Sequence, residues 1–286
     1  MASDGLAGDQ LGYAVAVSGD LVVAGAPVDD VGLNGDQGSA YLFGRHQGGT
    51  NNWGQIKRLA ATDGAAGDQL GFSVAVSGDA VVAGAVVDNG GRGSAYVFAR
   101  QQGGTNNWGQ VKRLFASDAA ANDWFGYSVA ISGDVVLAGA PQDDSSRGSA
   151  YLFERNQGGT SFWGQRQKLT ASDGVPPDNF GFSVSVSTGV ALAGALFDDV
   201  GSNQDQGSAS VFFLPVIRLL SPIWANGEFQ VTLNGTPGLD CSLLMSSNLV
   251  DWVSVTNVTL PDSPLLISVP ADSGQGLFRA VSPPVP

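Results

Sequence analysis

Apolar residues along the first 220 positions come in short runs, broken at regular intervals by Gly, Ser, Asp and Thr. One stretch shows the pattern in full. Tyr127-Ser-Val-Ala-Ile131 is followed by Ser132-Gly-Asp134 and then by Val135-Val-Leu-Ala138. These are two β-branched runs joined by the Gly-Asp turn that a tight hairpin needs. Ser149-Ala-Tyr-Leu-Phe-Glu-Arg155 predicts a third strand and Trp163-Gly-Gln-Arg-Gln-Lys-Leu169 a fourth. The first two strands are apolar or small at nearly every position, which predicts packing on both faces. The fourth alternates polar and apolar residues, as an outer strand does.

This four-stranded unit returns about every 55 residues. Asp9-Gln-Leu-Gly-Tyr-Ala-Val15 recurs as Asp68-Gln-Leu-Gly-Phe-Ser-Val74, Asp123-Trp-Phe-Gly-Tyr-Ser-Val129 and Asp178-Asn-Phe-Gly-Phe-Ser-Val184. Gly38-Ser-Ala-Tyr-Leu-Phe43 recurs at Gly93, Gly148 and Gly207. Copies one and four are longer at a single place, the segment 29–37 and its counterpart 198–206. Length variation confined to one position predicts a surface loop between fixed strands. A sandwich would not repeat its sequence in this way. The pattern predicts an all-β chain, with a β-propeller of four-stranded blades over residues 1–220 and copies starting near 3, 62, 117 and 172.

A Gly after Phe or Leu, followed by Gly-Ala-Pro, carries a family resemblance. Gly126 precedes Gly139-Ala140-Pro141 and Gly12 precedes Gly25-Ala26-Pro27, while Gly84-Ala85-Val86 and Gly194-Ala195-Leu196 replace only the proline. The four in-phase copies resemble the FG-GAP repeat. That resemblance implies the propeller of integrin α-subunits and of bacterial secreted and surface proteins. It also implies an extracellular or cell-surface setting and a role in adhesion. In the family many blades bind calcium in an Asp-rich loop between the first two strands. Here that place holds only Ser18-Gly-Asp20, Ser77-Gly-Asp79, Ser132-Gly-Asp134 and Ser187-Thr-Gly189, so calcium is not carried over on that loop.

Four copies leave two arrangements. Val216-Ile-Arg-Leu-Leu220 matches Ile56-Lys-Arg-Leu59 and is expected to pair with copy one, closing a four-bladed ring and removing exposed edges. Otherwise the copies are an open part of a larger propeller, completed by another chain, self-association being one route, or cut short by truncation. From Ser221 the repeat stops. Short alternating strands at Glu228–Leu233, Cys241–Met245, Trp252–Val255, Leu265–Val269 and Leu277–Val281 predict a small Ig-like or fibronectin-like β-sandwich over 221–286. Ser246-Ser-Asn-Leu-Val-Asp-Trp252 and Phe278-Arg279 resemble the C-terminal modules of large secreted bacterial proteins.

Composition sharpens the picture. Gly numbers 41, charged residues are 14% and the net charge is −13. Apart from Glu154 and Glu228, every acid is Asp, a turn residue rather than a helix-surface one. The charge argues against a nucleic-acid backbone as partner, which needs a basic face. No apolar run spans a membrane, and Met1–Gly5 lacks a basic-then-apolar leader pattern. Cys241 and His46 are the sole residues of their kinds. This excludes an intrachain disulfide and His-cluster metal sites.

Three groups carry candidate chemistry. Asp30, Asn34 and Asp36, with Asp199, Asn203 and Asp205, offer alternating oxygen ligands in a Gly-rich loop, as a hard cation such as calcium favours. Hydrogen bonding within the loop is the preferred alternative. Asn52, Trp53, Asn107, Trp108 and Trp163 set aromatics beside amides, the combination by which lectins hold sugars, with repetition giving multivalency. The alternative is that these tryptophans pack between blades. The paired Asp4/Asp9, Asp63/Asp68, Asp118/Asp123 and Asp173/Asp178 are expected to cap turns, with an acidic field as a by-product. No asymmetric catalytic constellation is visible. The sequence therefore predicts a non-enzymatic recognition or adhesion module that binds protein or glycan through propeller loops. The alternatives are a structural module of a larger surface protein and a polysaccharide-acting enzyme with an axial site.

Overall fold

In the computed structural model of the chain, residues 2–281 are described, apart from 48, 103, 105–106, 156–162, 188, 215–216, 226–227, 237, 247–252 and 271–276. The chain divides into two compact units, Met1–Phe212 and Phe213–Pro286.

The first unit contains four antiparallel sheets, one per repeat. Blade 1 is β1 (Val15–Ser18), β2 (Leu21–Ala26), β3 (Ser39–Arg45) and β4 (Trp53–Leu59). Blade 2 is β5 (Leu70–Ser77), β6 (Ala80–Ala85), β7 (Ser94–Arg100) and β8 (Trp108–Leu114). Blade 3 is β9 (Ser128–Ser132), β10 (Val135–Ala140), β11 (Ser149–Arg155) and β12 (Trp163–Leu169). Blade 4 has three strands, β13 (Phe180–Ser187), β14 (Val190–Ala195) and β15 (Ser208–Phe213). Gly19, Gly78 and Gly133 turn the first hairpin of their blades at φ of 55°, 54° and 57°, which a residue without a Cβ adopts freely. The short loops of copies two and three become tight turns at Asp88–Gly91 and Asp143–Ser146, with left-handed backbone at Asn89, Gly90, Asp144 and Ser145.

Each blade packs its forward face on the backward face of the next. Ala16, Val23 and Leu42 of blade 1 share a cluster with Val74, Val76, Val81, Phe98 and Trp108 of blade 2. Ala75, Val82 and Val97 of blade 2 meet Ile131, Val136, Phe153 and Trp163 of blade 3 in the same way. Parallel bridges tie the blades at Gly38↔Leu70, Gly93↔Phe125 and Gly148↔Phe180.

The two outermost faces are exposed. Val74 and Val76 are 9% and 8% accessible, whereas their blade 1 equivalents Val15 and Val17 are 69% and 70%. Leu42, Val97 and Leu152 are fully buried, but the matching Val211 of blade 4 is 56% accessible. The ring closure expected of 216–220 is not what forms. Val216 lies outside the described residues, and β16 (Ile217–Ala225) is an edge strand paired with β17 (Glu228–Gly235) in the second unit. The long antiparallel pairing with β17 takes this strand.

The second unit holds two three-stranded sheets. One is β16-β17-β20, with β20 at Leu265–Pro270, and the other is β19-β18-β21, from Val253–Thr259, Asp240–Ser246 and Leu277–Val281. Val231, Leu233, Cys241, Leu243, Leu260 and Val269 form its buried cluster. Burial pushes the Cys241 thiol up, helped by Asp240, so it behaves as a small core residue. The stretch after Ser246 up to Trp252 lies outside the described residues.

Candidate functional site

The antiparallel strand order collects two sets of loops at one end of the first unit. These are the connection from second to third strand and the connection from fourth strand to the next blade. All the paired aspartates lie there. Asp9, Asp68, Asp123 and Asp178 each accept the backbone N–H three residues upstream, at 2.5, 2.6, 2.5 and 2.7 Å. This is the turn cap that the spacing predicts. Burial pushes the carboxyls of Asp68 and Asp123 up, against the pull of those N–H donors.

A second acid in each of blades 1 to 3 is buried in a repeated ion-pair network. Asp29 accepts from Ser39 Oγ, from Tyr41 Oη at 3.1 Å and from Arg58 at 2.6 Å. Asp88 accepts from Tyr96 Oη at 3.1 Å and Arg113 at 2.7 Å, and Asp143 from Tyr151 Oη at 2.8 Å and Lys168 at 2.7 Å. The same cations reach back to Asp4, Asp63 and Asp118 at 3.3, 3.0 and 2.7 Å. Burial pushes the hydroxyls of Tyr41, Tyr96 and Tyr151 up, and the neighbouring carboxylates add to it, so each stays a donor. Burial works against the Lys168 ammonium, but its hydrogen bonds to Asp118 and Asp143 outweigh that and raise it. These acids latch the third strand, the fourth strand and the entry segment together. In blade 4 Ser210 stands where the others have Tyr, and among the described residues the sheet has no fourth strand to supply the cation.

The long loops are held by their own polar groups. Asp30 Oδ1 accepts the Asp36 N–H at 2.9 Å, and Asn34 Nδ2 donates to Gln37 Oε1 at 2.8 Å. Asp199 with Asp205 (2.8 Å) and Asn203 with Gln206 (2.6 Å) repeat this in blade 4. Of the oxygens proposed from sequence as cation ligands, those of Asp30 and Asp199 are thus drawn into loop hydrogen bonds, while Asn34 and Asn203 take part as donors and Asp36 and Asp205 through their backbone N–H. Of the three tryptophans in the sugar-type motif, Trp108 and Trp163 are buried between blades at 2% and 4% accessibility. Arg100 lies 5.6 Å and Arg155 5.2 Å from those ring centroids. Their faces are spent on packing, because a preceding blade covers them. Trp53 has no preceding blade and stays half exposed. Asn107 accepts from Lys57 Nζ at 2.9 Å across the blade boundary, and Asn52 follows a turn closed by its N–H on Gly49 O.

Sequence reasoning missed an aromatic row. Tyr13, Phe72, Tyr127 and Phe182, one at the start of each inner strand, touch in succession with centroids 5.0, 5.1 and 4.9 Å apart. Trp124 stacks on Tyr127 at 6.2 Å. The signal was present as an aromatic directly after the repeated Gly. The loops beside this row expose Leu6, Leu33, Val87, Phe115, Val175 and Phe197. The opposite end carries exposed hairpin aspartates matched to third-strand arginines, Asp20–Arg45, Asp79–Arg100 and Asp134–Arg155, at 3.6, 3.3 and 3.1 Å. One end is therefore apolar between latched acids, and the other is a rim of ion pairs.

The sequence model described as the FG-GAP repeat matches residues 1–43, 53–98, 108–153 and 163–212. A search of curated proteins returned no match. Among solved structures, the chain resembles the periplasmic gluconolactonase PpgL of Pseudomonas aeruginosa. The two share 12% identity with a TM-score of 0.41, over 87% of this chain and 72% of that one. It also resembles Sqt1 of Chaetomium thermophilum, with 15% identity and a TM-score of 0.37, over 95% of this chain and 69% of that one. Among the described residues no helix is long and apolar enough to cross a membrane.

Proposed function

The chain belongs to the FG-GAP repeat family, and from that premise we propose that it is a non-enzymatic extracellular or cell-surface recognition module. It binds a protein or glycan through the loop end of its blades. The observation that carries this reading is the exposure of Leu33, Phe115, Trp124 and Phe197 on these loops, with the buried acids of blades 1 to 3 tied down beside them. Large apolar side chains presented by loops on a rigid scaffold are the raw material of a contact surface. The opposite end offers mainly solvated ion pairs, which contribute little to affinity. The second unit is read as the small β-sandwich that its two sheets and shared core suggest.

The test is a glycan-array and cell-binding screen of the full chain beside two sets of variants. Leu33→Ser with Phe115→Ser alters the loop end, and Asp79→Asn with Arg100→Gln alters the other end. Binding that is lost only in the loop-end variant supports the reading. Absence of any binding would favour a purely structural module, and loss in the ion-pair variant alone would move the site to the other end.

A further inference from the structure

We propose that the two exposed blade faces are mates: blade 4 of one copy docks on blade 1 of a second copy, head to tail, so that two copies complete one ring of about eight blades. Each feature of these faces has a counterpart that is already satisfied inside the chain.

The loop before β15 is set for a neighbour. In blade 1 the matching loop grips the entry segment of blade 2. Asn34 Nδ2 donates to Gly64 O at 3.1 Å and Gln37 Nε2 to Ala61 O at 3.2 Å. The loop of blade 4 keeps the same Asn and Gln and the same internal hydrogen bonds. It also keeps the same local bridge, Val200↔Asn203 for Val31↔Asn34. Yet Asn203 and Gln206 are exposed. Their partners by repeat position are Ala2 and Gly5, which begin blade 1.

Glycine and serine tell the same story. A Cβ at Gly25, Gly84 or Gly139 would run into the carbonyl of Gly71, Gly126 or Gly181 on the next blade. Glycine is needed there for close backbone approach. Gly194 keeps the residue, but its nearest neighbours are Ser183 Oγ and Ser208 O, within its own sheet. The carbonyl that would fill the gap is that of Gly12. Ser73 and Ser128 donate across their boundaries to Gly126 O at 2.6 Å and Gly181 O at 2.8 Å, and the exposed Ser183 is placed to do so to Gly12 O.

Backbone pairing repeats as well. Gln69 and Leu70 donate to Asp36 O and Gln37 O at 3.2 and 2.9 Å. Trp124 and Phe125 donate to Gly91 O and Arg92 O, and Asn179 and Phe180 to Ser146 O and Arg147 O. Gln10 and Leu11 are the matching donors of blade 1, and Asp205 O and Gln206 O the matching acceptors of blade 4. The apolar part of each face, Val15, Val17 and Trp53 against Leu192 and Val211, is exposed in the single chain. A partner of unrelated sequence would have to reinvent these contacts, whereas a second copy already has them.

Size-exclusion chromatography with light scattering tests this on the full chain. The wild type is expected at twice 29.2 kDa. Val17→Arg and Val211→Arg each place a charge on one exposed face and are expected to run as folded single chains, with unchanged circular dichroism. Mixed one to one, they retain one unaltered pair of faces and are expected to recover a complex of two chains. A wild type of single-chain mass at every concentration would overturn the proposal. So would a Val211→Arg dimer, or a mixture that stays monomeric.

Discussion

Blades 3 and 4 start from the same repeat motif and end in different physical states. Blade 3 has neighbours on both faces, a fourth strand and a complete Asp143–Tyr151–Lys168–Asp118 network. Among the described residues, blade 4 keeps the first three strands but has neither a covered forward face nor the cation. Residue identity therefore does not decide burial in this unit: Leu137 is fully buried and its equivalent Leu192 is 39% accessible. Position in the stack decides it, as in other repeat arrays where interfaces carry much of the stability.

The largest effect should come from the covered face. Leu137→Ala is expected to cost about 3 kcal/mol of unfolding free energy by denaturant titration, and Leu192→Ala about 1 or less in the single chain. Equal losses would break the contrast. Next comes the ion-pair network. Removing the Lys168 side chain as Lys168→Ala strands the buried Asp143 and is expected to cost about 2 kcal/mol, scaled down from a fully buried pair because Lys168 is partly solvated. Tyr151→Phe should cost about 1 kcal/mol, and Ser210→Ala at the same place in blade 4 no more than about 0.5.

A pH series separates the electrostatic part. Burial alone would push Asp118 up, but hydrogen bonds from Lys168 and Tyr151 hold its carboxyl below the ordinary 3.8. A depressed carboxylate contributes stability above its ordinary value and loses it as pH falls through the folded value. The stability gap between wild type and Asp118→Asn is thus expected to be full near neutrality and to close as pH drops below 3.8. A gap that persists in acid would assign Asp118 a packing role instead. The smallest effect concerns the long loops of blades 1 and 4. Because Asp30 and Asp199 already accept loop N–H groups, millimolar calcium or EDTA is expected to leave the melting temperature unchanged. A calcium-induced rise abolished by Asp30→Asn with Asp199→Asn would assign them a cation.

The repeat, its strand order and the turn caps were legible because each depends on short-range chemistry: Gly-Asp at a hairpin, Asp three residues past the N–H it caps, alternation on an outer strand. The fate of Trp53, Trp108 and Trp163 was not, since all three share one local motif and differ only in whether another blade stands before them. The destination of 217–220 was also hidden. Two sheet edges compete for that strand, and its match to Ile56-Lys-Arg-Leu59 pointed to the one it does not join. The aromatic row was visible as a repeated residue type, but its mutual contact depends on how adjacent blades pack.

The most direct test of the head-to-tail account is backbone hydrogen exchange at Gln10 and Leu11, read against Gln69 and Leu70 over a dilution series. The account predicts that in concentrated solution the first pair is protected like the second, which donates to Asp36 O and Gln37 O, and that only the first pair loses protection on dilution. Rapid exchange at Gln10 and Leu11 at every concentration would contradict it.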